Sequence, residues 1–293
     1  MRNNIIICGG FTGNWSSIRC PIHFIEILGE NKLRLPPLPK TYDYSCVFVT
    51  KEYDILVVIN VYIENVCYKF VNGTWKFQSP PNDFQHCDMK SFTMQNGYYI
   101  ISPREGNSTI LSNSQNEWKT GPQFDSSSGD MAKFLAISKS EIVVTGGTKI
   151  PSRIFKINVV TQEVNEIGNL KNGRWMHASV SYKGKLIVTG GFNYYNRNFS
   201  TGTSTEIIDL ESGISRLGGN LNFDRRHHGM GVISKNGKPT LIVFGGEYMD
   251  EIGCPMSLDS IEEWDDETET WRISDLKLDI GRHSFDWCSL QEF

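Results

Sequence analysis

Ile142-Val143-Val144-Thr145-Gly146-Gly147 and Leu186-Ile187-Val188-Thr189-Gly190-Gly191 are one short phrase written twice, a β-branched run that ends in a glycine pair. Two further copies read Ile5-Ile6-Ile7-Cys8-Gly9-Gly10 and Leu241-Ile242-Val243-Phe244-Gly245-Gly246. The second glycine thus recurs at Gly10, Gly147, Gly191 and Gly246. The long first interval divides into three of about 46 residues, close to the interval that follows it. Two degenerate copies are therefore expected inside it, and apolar runs stand at both places. One is Ile55 to Ile59, ending at Asn60; the other is Tyr98 to Ser102, ending at Pro103-Arg104. The last interval is longer because Phe192 to Thr203 and Asn236 to Thr240 read as loop insertions. Six copies fit the chain.

Each copy holds more than this one strand. An apolar run precedes it, as in Cys46 to Val49, Phe134 to Ile137 or Ala178 to Ser181, joined to it by a polar turn such as Lys183-Gly184-Lys185. That is a hairpin signal. A third run follows the glycine pair, as in Ser152 to Ile157 or Thr205 to Asp209. A short fourth run often carries tryptophan, as at Trp75, Trp118 and Trp271. No useful window shows a 3.6-residue apolar period, so almost no helix is expected. Four strands every 44 to 55 residues or so predict propeller blades. The strand missing before Ile5 has its counterpart at the other end, in Gly281 to Leu290, so the C-terminal strand should close the ring.

These residues resemble a kelch-repeat β-propeller. The family motif, a strand ending in Gly-Gly, a later tryptophan and then Arg-x-x-His, is matched by Gly245-Gly246, Trp271 and Arg282. Arg174-Trp175-Met176-His177 and Arg225-Arg226-His227-His228 match its last element. The resemblance spans essentially the whole chain and is weakest over residues 40–130. It implies an all-β, six-bladed kelch-type propeller of four-stranded antiparallel blades, with residues 1–293 as a single domain.

Composition narrows the function classes. The 293 residues carry 29 Lys+Arg against 33 Asp+Glu, and a net charge of -4 argues against a nucleic-acid partner. With 39% hydrophobic residues the chain can build a core. Its longest nearly apolar stretch, Ile55 to Ile63, is too short to span a bilayer, so no membrane is expected. Seven cysteines without a C-x-x-C pair read as buried thiols in a reducing, cytoplasmic setting. Gly9-Gly10-Phe11-Thr12-Gly13 is no dinucleotide loop, since no helix follows it. Neither a metal ligand set nor a nucleophile elbow is present, so no cofactor, no metal and no catalytic residue are expected.

The resemblance places the loops after the glycine pairs and before the first strands at one mouth of the channel. There it collects Arg174, Trp175, Arg225, Arg226, His227, Arg282 and His283, with Phe11, Trp15, Phe192, Tyr194, Tyr195, Arg197, Glu247 and Tyr248 from the glycine-pair loops. Arginine forks grip carboxylates and aromatic rings give rigid contact area, so a peptide or loop of another protein, with acidic groups, is the expected ligand. Similarity to kelch-like adaptors implies substrate recognition for a cullin ubiquitin ligase, although no BTB or BACK region is present. The alternatives are a scaffold tied to the actin cytoskeleton and a propeller enzyme resembling a sialic-acid mutarotase. Alkylation under denaturing, non-reducing conditions should modify all seven thiols, as read by mass; a shortfall of two in protein kept from air would contradict the reduced state.

Overall fold

The computed structural model describes residues 4–13, 20–22, 24–29, 33–40, 44–50, 54–61, 64–80, 90–94, 97–102, 106–112, 117–124, 129–193 and 202–290. Within these, six four-stranded antiparallel sheets stand as the blades of a ring, and no helix occurs. Blade 1 pairs Asp286–Leu290, Asn4–Cys8, Ile25–Leu28 and Leu33–Arg34; blade 2 pairs Tyr44–Val49, Ile55–Val61, Glu64–Val71 and Thr74–Gln78. Blade 3 holds Lys90–Met94, Gly97–Ile101, Ser108–Ser112 and Trp118–Thr120; blade 4 holds Lys133–Ala136, Glu141–Thr145, Arg153–Asn158 and Val164–Asn169. Blade 5 holds Ala178–Tyr182, Lys185–Thr189, Thr205–Asp209 and Ser215–Leu217; blade 6 holds Gly229–Lys235, Lys238–Phe244, Ser260–Asp265 and Thr270–Lys277. The first strand of each blade touches the first strands of its neighbours, so these six line the axis.

The apolar runs are continuous, with no alternation, because both faces of every blade are covered. In Asn4–Cys8, Ile5 and Ile7 pack against blade 6 through Ile242, Phe244 and Ile261. The residues between, Ile6 and Cys8, pack against blade 2 through Val47, Val57 and Ile59. All four are fully buried. The same division repeats round the ring, and each of the six blade interfaces has its own apolar cluster. A fully buried Ile or Val is worth about 1.5–3 kcal/mol, so the interfaces together supply the main stabilisation. Tryptophans of the outermost strands reach back to the preceding blade. Trp271 Nε1 donates to Thr205 Oγ1 at 2.9 Å, and Trp75 Nε1 donates to the Pro36 carbonyl at 3.0 Å.

Tight hairpins join first and second strands where both turn residues accept positive φ. Lys183-Gly184 and Asn236-Gly237 have φ values of 50° and 74°, and of 52° and 72°, the pattern of a type I′ turn. The second of these corrects the expected loop at Asn236 to Thr240. Only the two turn residues leave the ladder: Lys235 pairs with Lys238 and Ile233 with Thr240, so blade 6 has a longer hairpin there. A different insertion, a two-stranded hairpin of Glu247–Met249 with Pro255–Ser257, follows its glycine pair. In blade 2 the second strand runs straight through Asn60, and Val61 pairs with Glu64, so no glycine loop is needed there. Pro103-Arg104 lies outside the described residues.

Ring closure follows the expected plan. Asp286–Leu290 pairs antiparallel with Asn4–Cys8 from Cys8↔Asp286 to Asn4↔Leu290. Deleting residues 281–293 should leave the edge of Asn4–Cys8 open and give aggregated protein or one that melts far lower; a deletion variant that melts like the intact chain would overturn the closure. Trp271→Ala should cost about 3–5 kcal/mol in denaturant unfolding, since it empties the blade 5–6 interface.

Candidate functional site at one mouth of the channel

Three of the arginines expected at the mouth are inside the wall. Arg174, Arg225 and Arg282 are fully buried, each beside an equally buried glutamate from the third strand of its own blade. Arg174 Nη2 lies 2.6 Å from Glu206 Oε1, Arg225 Nε 3.0 Å from Glu262 Oε1, and Arg282 Nη2 3.2 Å from Glu26 Oε2. Arg174 Nη1 also donates to the Gly190 and Ser204 carbonyls at 2.8 and 3.2 Å. Arg225 Nη1 does the same to Gly245 and Ser260, at 2.8 and 3.0 Å. The carboxylates are held from the other side as well. Glu206 accepts the N–H groups of Lys171 and Asn172, and Glu262 those of Asn222 and Phe223. Burial lowers the pKa of each arginine, opposed by the glutamate. Each pair therefore clamps the approach segment, the glycine-pair loop and the third strand of one blade. The signal for it was a glutamate near the start of each of three third strands, Glu26, Glu206 and Glu262.

The histidines after these arginines are interior too. His177 Nε2 lies 2.8 Å from Thr145 Oγ1 of blade 4, and His228 Nε2 2.9 Å from Thr189 Oγ1 of blade 5. Thr189 also donates to Met230 Sδ, so the imidazole of His228 donates through Nε2–H. At the blade 6–1 interface Phe244 and Phe285 stack in the same place, with ring centroids 5.6 Å apart.

What remains at the mouth is a smaller group. Trp175 bridges Phe192, Arg226 bridges Glu247, and His283 bridges Phe11, each pair within one blade. Arg226 Nε is 3.1 Å from Glu247 Oε1, yet it makes no aligned hydrogen bond. On its other side the guanidinium lies over Phe192, 5.7 Å from the ring centroid. Glu247 Oε2 lies 3.6 Å from His283 Nδ1, and His283 stacks on Phe11. Tyr248, half-buried, lies in the first strand of the inserted hairpin, which exposes Met249 and Ile252. The structure thus brings together Trp175, Arg226 and Tyr248, with His227 on the same rim, while His283, expected among them, is buried beneath. Phe11, Phe192 and Glu247 of the glycine-pair loops join the rim group, as expected. Trp15, Tyr194, Tyr195 and Arg197 lie outside the described residues.

Beneath the rim the blades step round in a fixed way. His227 N donates to the Met176 carbonyl at 2.8 Å and Ser284 N to the His227 carbonyl at 3.2 Å, linking blades 5, 6 and 1. These three residues, and Met131 of blade 4, all have φ between 52° and 62°. For side chains other than glycine that conformation costs about 1–3 kcal/mol each and persists only where the surroundings impose it. The channel below has a volume of about 860 Å³ and is lined by the first strands. Asp286 looks into it; its Oδ2 accepts Val47 N–H at 2.8 Å and Ser91 Oγ–H at 2.6 Å, joining blade 1 to blades 2 and 3. Burial pushes the Asp286 pKa up, against the pull of Ser91, Val47 and Lys133. Among the described residues no three His, Cys, Asp or Glu side chains group so as to hold a metal ion. The thiols of Cys8, Cys46, Cys67, Cys254 and Cys288 are free, and burial pushes Cys8 and Cys67 up to about 12.

A solved structure, that of YjhT, superposes on this one with a TM-score of 0.68 at 11% sequence identity, covering 94% of this chain and 95% of that chain. At that identity the likeness speaks for the six-bladed propeller fold alone. No protein-family model matches the chain, and no curated protein matches its sequence.

The interior histidines give the fold an acid limit. Burial, then the Arg174 charge, holds His177 neutral well below the ordinary 6.5; burial, then Arg225, does the same for His228. In the unfolded chain both take up protons near 6.5. Their contribution is therefore fully present above that pH and is lost as pH falls below it, by about 1.4 kcal/mol per histidine per pH unit. Denaturant unfolding between about pH 7 and pH 5 should show this loss, with a shallower slope for His177→Gln; equal slopes would contradict it.

Proposed function

We propose that the chain is a kelch-type propeller serving as a non-enzymatic interaction module, which holds a peptide or loop of another protein at the mouth above blades 5, 6 and 1. The observation that carries this reading is Arg226. Its guanidinium is held between Phe192 and Glu247, with Nη2 donating to Met249 Sδ at 2.7 Å, and the side chain keeps 13% of its surface exposed at the rim. A carboxylate arriving from a partner meets a pre-placed fork, which costs little side-chain entropy to engage. Trp175 and Tyr248 flank it with half-buried aromatic surface, and the exposed Met249 and Ile252 extend the apolar area along the hairpin. Arg197, Tyr194 and Tyr195 belong to the same proposed surface by their place in the loop after Gly191. The buried Arg174, Arg225 and Arg282 support the site from within and do not touch the partner.

Within this reading, substrate recognition for a cullin ubiquitin ligase is the first use to test, and an actin-linked scaffold the second. Affinity capture from the source cells, with the bound proteins identified, addresses both. A cullin among them supports the first, and co-sedimentation with actin filaments supports the second. Arg226→Ala should weaken capture of the main partner roughly tenfold or more, the worth of one charge-assisted pair. Its melting temperature should stay close to that of the unaltered protein. Unchanged capture by Arg226→Ala and by Arg197→Ala would reject the acidic-segment reading.

A further inference from the structure

Arg226 has two neighbours on one strand of the inserted hairpin. Its backbone is bridged to Glu247 by a pair of hydrogen bonds of 3.0 and 2.9 Å, and Met249 follows two positions later in the strand Glu247–Met249. Residues two apart on a strand point to one face, so the carboxylate and the thioether are both turned to the guanidinium. Nε lies 3.1 Å from Glu247 Oε1, and Nη2 donates to Met249 Sδ at 2.7 Å. The two contacts are unequal. Glu247 offers a charged oxygen, whereas a thioether sulfur is a weak acceptor. Met249 therefore keeps one arm of the fork in place and yields it readily to a carboxylate.

Among the described residues Met249 is the one exposed methionine, with 46% of its surface in solvent. Met230 also accepts a hydrogen bond at its sulfur, from Thr189, but it is fully buried, and Met94 is buried as well. Exposure is what admits an oxidant to a sulfur. The hairpin is also held where it is. Met249 pairs with Pro255, and Asp250 Oδ1 accepts the N–H groups of Ile252 and Cys254 at 3.1 and 2.7 Å. A chemical change at Met249 is therefore felt by Arg226, since the backbone of the turn is braced against moving away.

We propose that Met249 is an oxidation site that switches Arg226, with a peroxide as the oxidant. A lone pair of Sδ attacks one oxygen of hydrogen peroxide, the S–O bond forms and the O–O bond breaks. The second oxygen leaves as water, taking up the proton of the transferred oxygen. Sulfur loses two electrons and the peroxide gains them. The sulfoxide oxygen is a far better acceptor than the sulfur it replaces, and the unbranched methionine side chain can turn it towards Nη2. There it makes a charge-assisted bond and closes the fork to an incoming carboxylate. The effect on partner binding rests on the acidic-segment reading given above; the closing of the fork does not.

The test uses the full chain carrying Cys254→Ser, which removes the half-buried thiol of the same hairpin as a rival target. After limited treatment with hydrogen peroxide, peptide mass mapping should find the added oxygen at Met249 before Met94 or Met230. The Nε–H resonance of Arg226, assigned by its loss in Arg226→Ala, should shift on oxidation and return after treatment with methionine sulfoxide reductases. In Met249→Leu it should not respond to peroxide. An array of synthetic peptides bearing Asp or Glu supplies the binding probe. The peptide held best by the reduced protein should bind the oxidised protein roughly tenfold more weakly, the worth of one charge-assisted pair. Met249→Gln, with a permanent oxygen acceptor of similar reach, should show that loss without peroxide. An Arg226 resonance that ignores oxidation, or a Met249 oxidised no sooner than the buried methionines, overturns the inference. Peptide binding that is lost in Arg226→Ala but untouched by oxidation overturns it too, and leaves the acidic-segment reading standing. A resonance that shifts as expected, with no peptide dependent on Arg226, upholds the switch and rejects that reading.

Discussion

One backbone contact sets the spacing of the blades. The N–H of the second glycine of a pair donates to the carbonyl of the arginine that opens the next blade: Gly147 to Arg174, Gly191 to Arg225 and Gly246 to Arg282, at 3.1, 2.8 and 2.8 Å. The carbonyl comes so close that a Cβ on Gly146 or Gly190 would overlap it. From this approach the rest follows. The arginine side chain is driven back into its own blade, where only a buried carboxylate can balance it. The histidine three residues on is pressed against the threonine before the glycines. The residue just before that histidine, Met176 or His227, is forced into a left-handed turn.

The wall is consequently rigid where it is charged. A buried ion pair such as Arg225–Glu262 is costly to form and far more costly to break from one side, so it fixes which segments meet more than it adds net stability. Arg226 is the neighbouring residue in sequence, yet it stands in a different physical regime. It lies at the rim, partly solvated, in an ion pair with Glu247 and over the ring of Phe192. A propeller carries its rim loops on a rigid frame, and here the frame residues Arg225 and His228 enclose the rim residues Arg226 and His227 along a single four-residue stretch.

The blades were legible because a strand covered on both faces leaves an unbroken apolar run, and Ile5 to Cys8 is such a run. The role of Trp271 was legible for the same reason, since a large ring in a short outer strand has only the next sheet to pack on. The fate of Arg174, Arg225 and Arg282 was not legible from their spacing. Repeat equivalence tells that three residues share a place, but it does not tell whether that place is wet. Their partners Glu26, Glu206 and Glu262 lie up to 256 positions away. Asn236 to Thr240 misled because its polar composition suits a loop and a solvent-facing hairpin end alike.

The first strand of blade 1 comes from the far end of the chain, and this has a consequence for how the molecule reaches its native state. Arg282 and Gly9, joined across blade 1, are 273 positions apart. Local hairpins can form as soon as their residues exist, but the seam cannot close before almost the whole chain is available. Contacts of such long range are slow to form, because the loop entropy is lost before the contact is gained. Until then the Asn4–Cys8 edge stays open and the interfaces beside it lack one of their walls. The late step in folding is therefore the docking of a single strand, and the population that waits for it is the one most exposed to self-association.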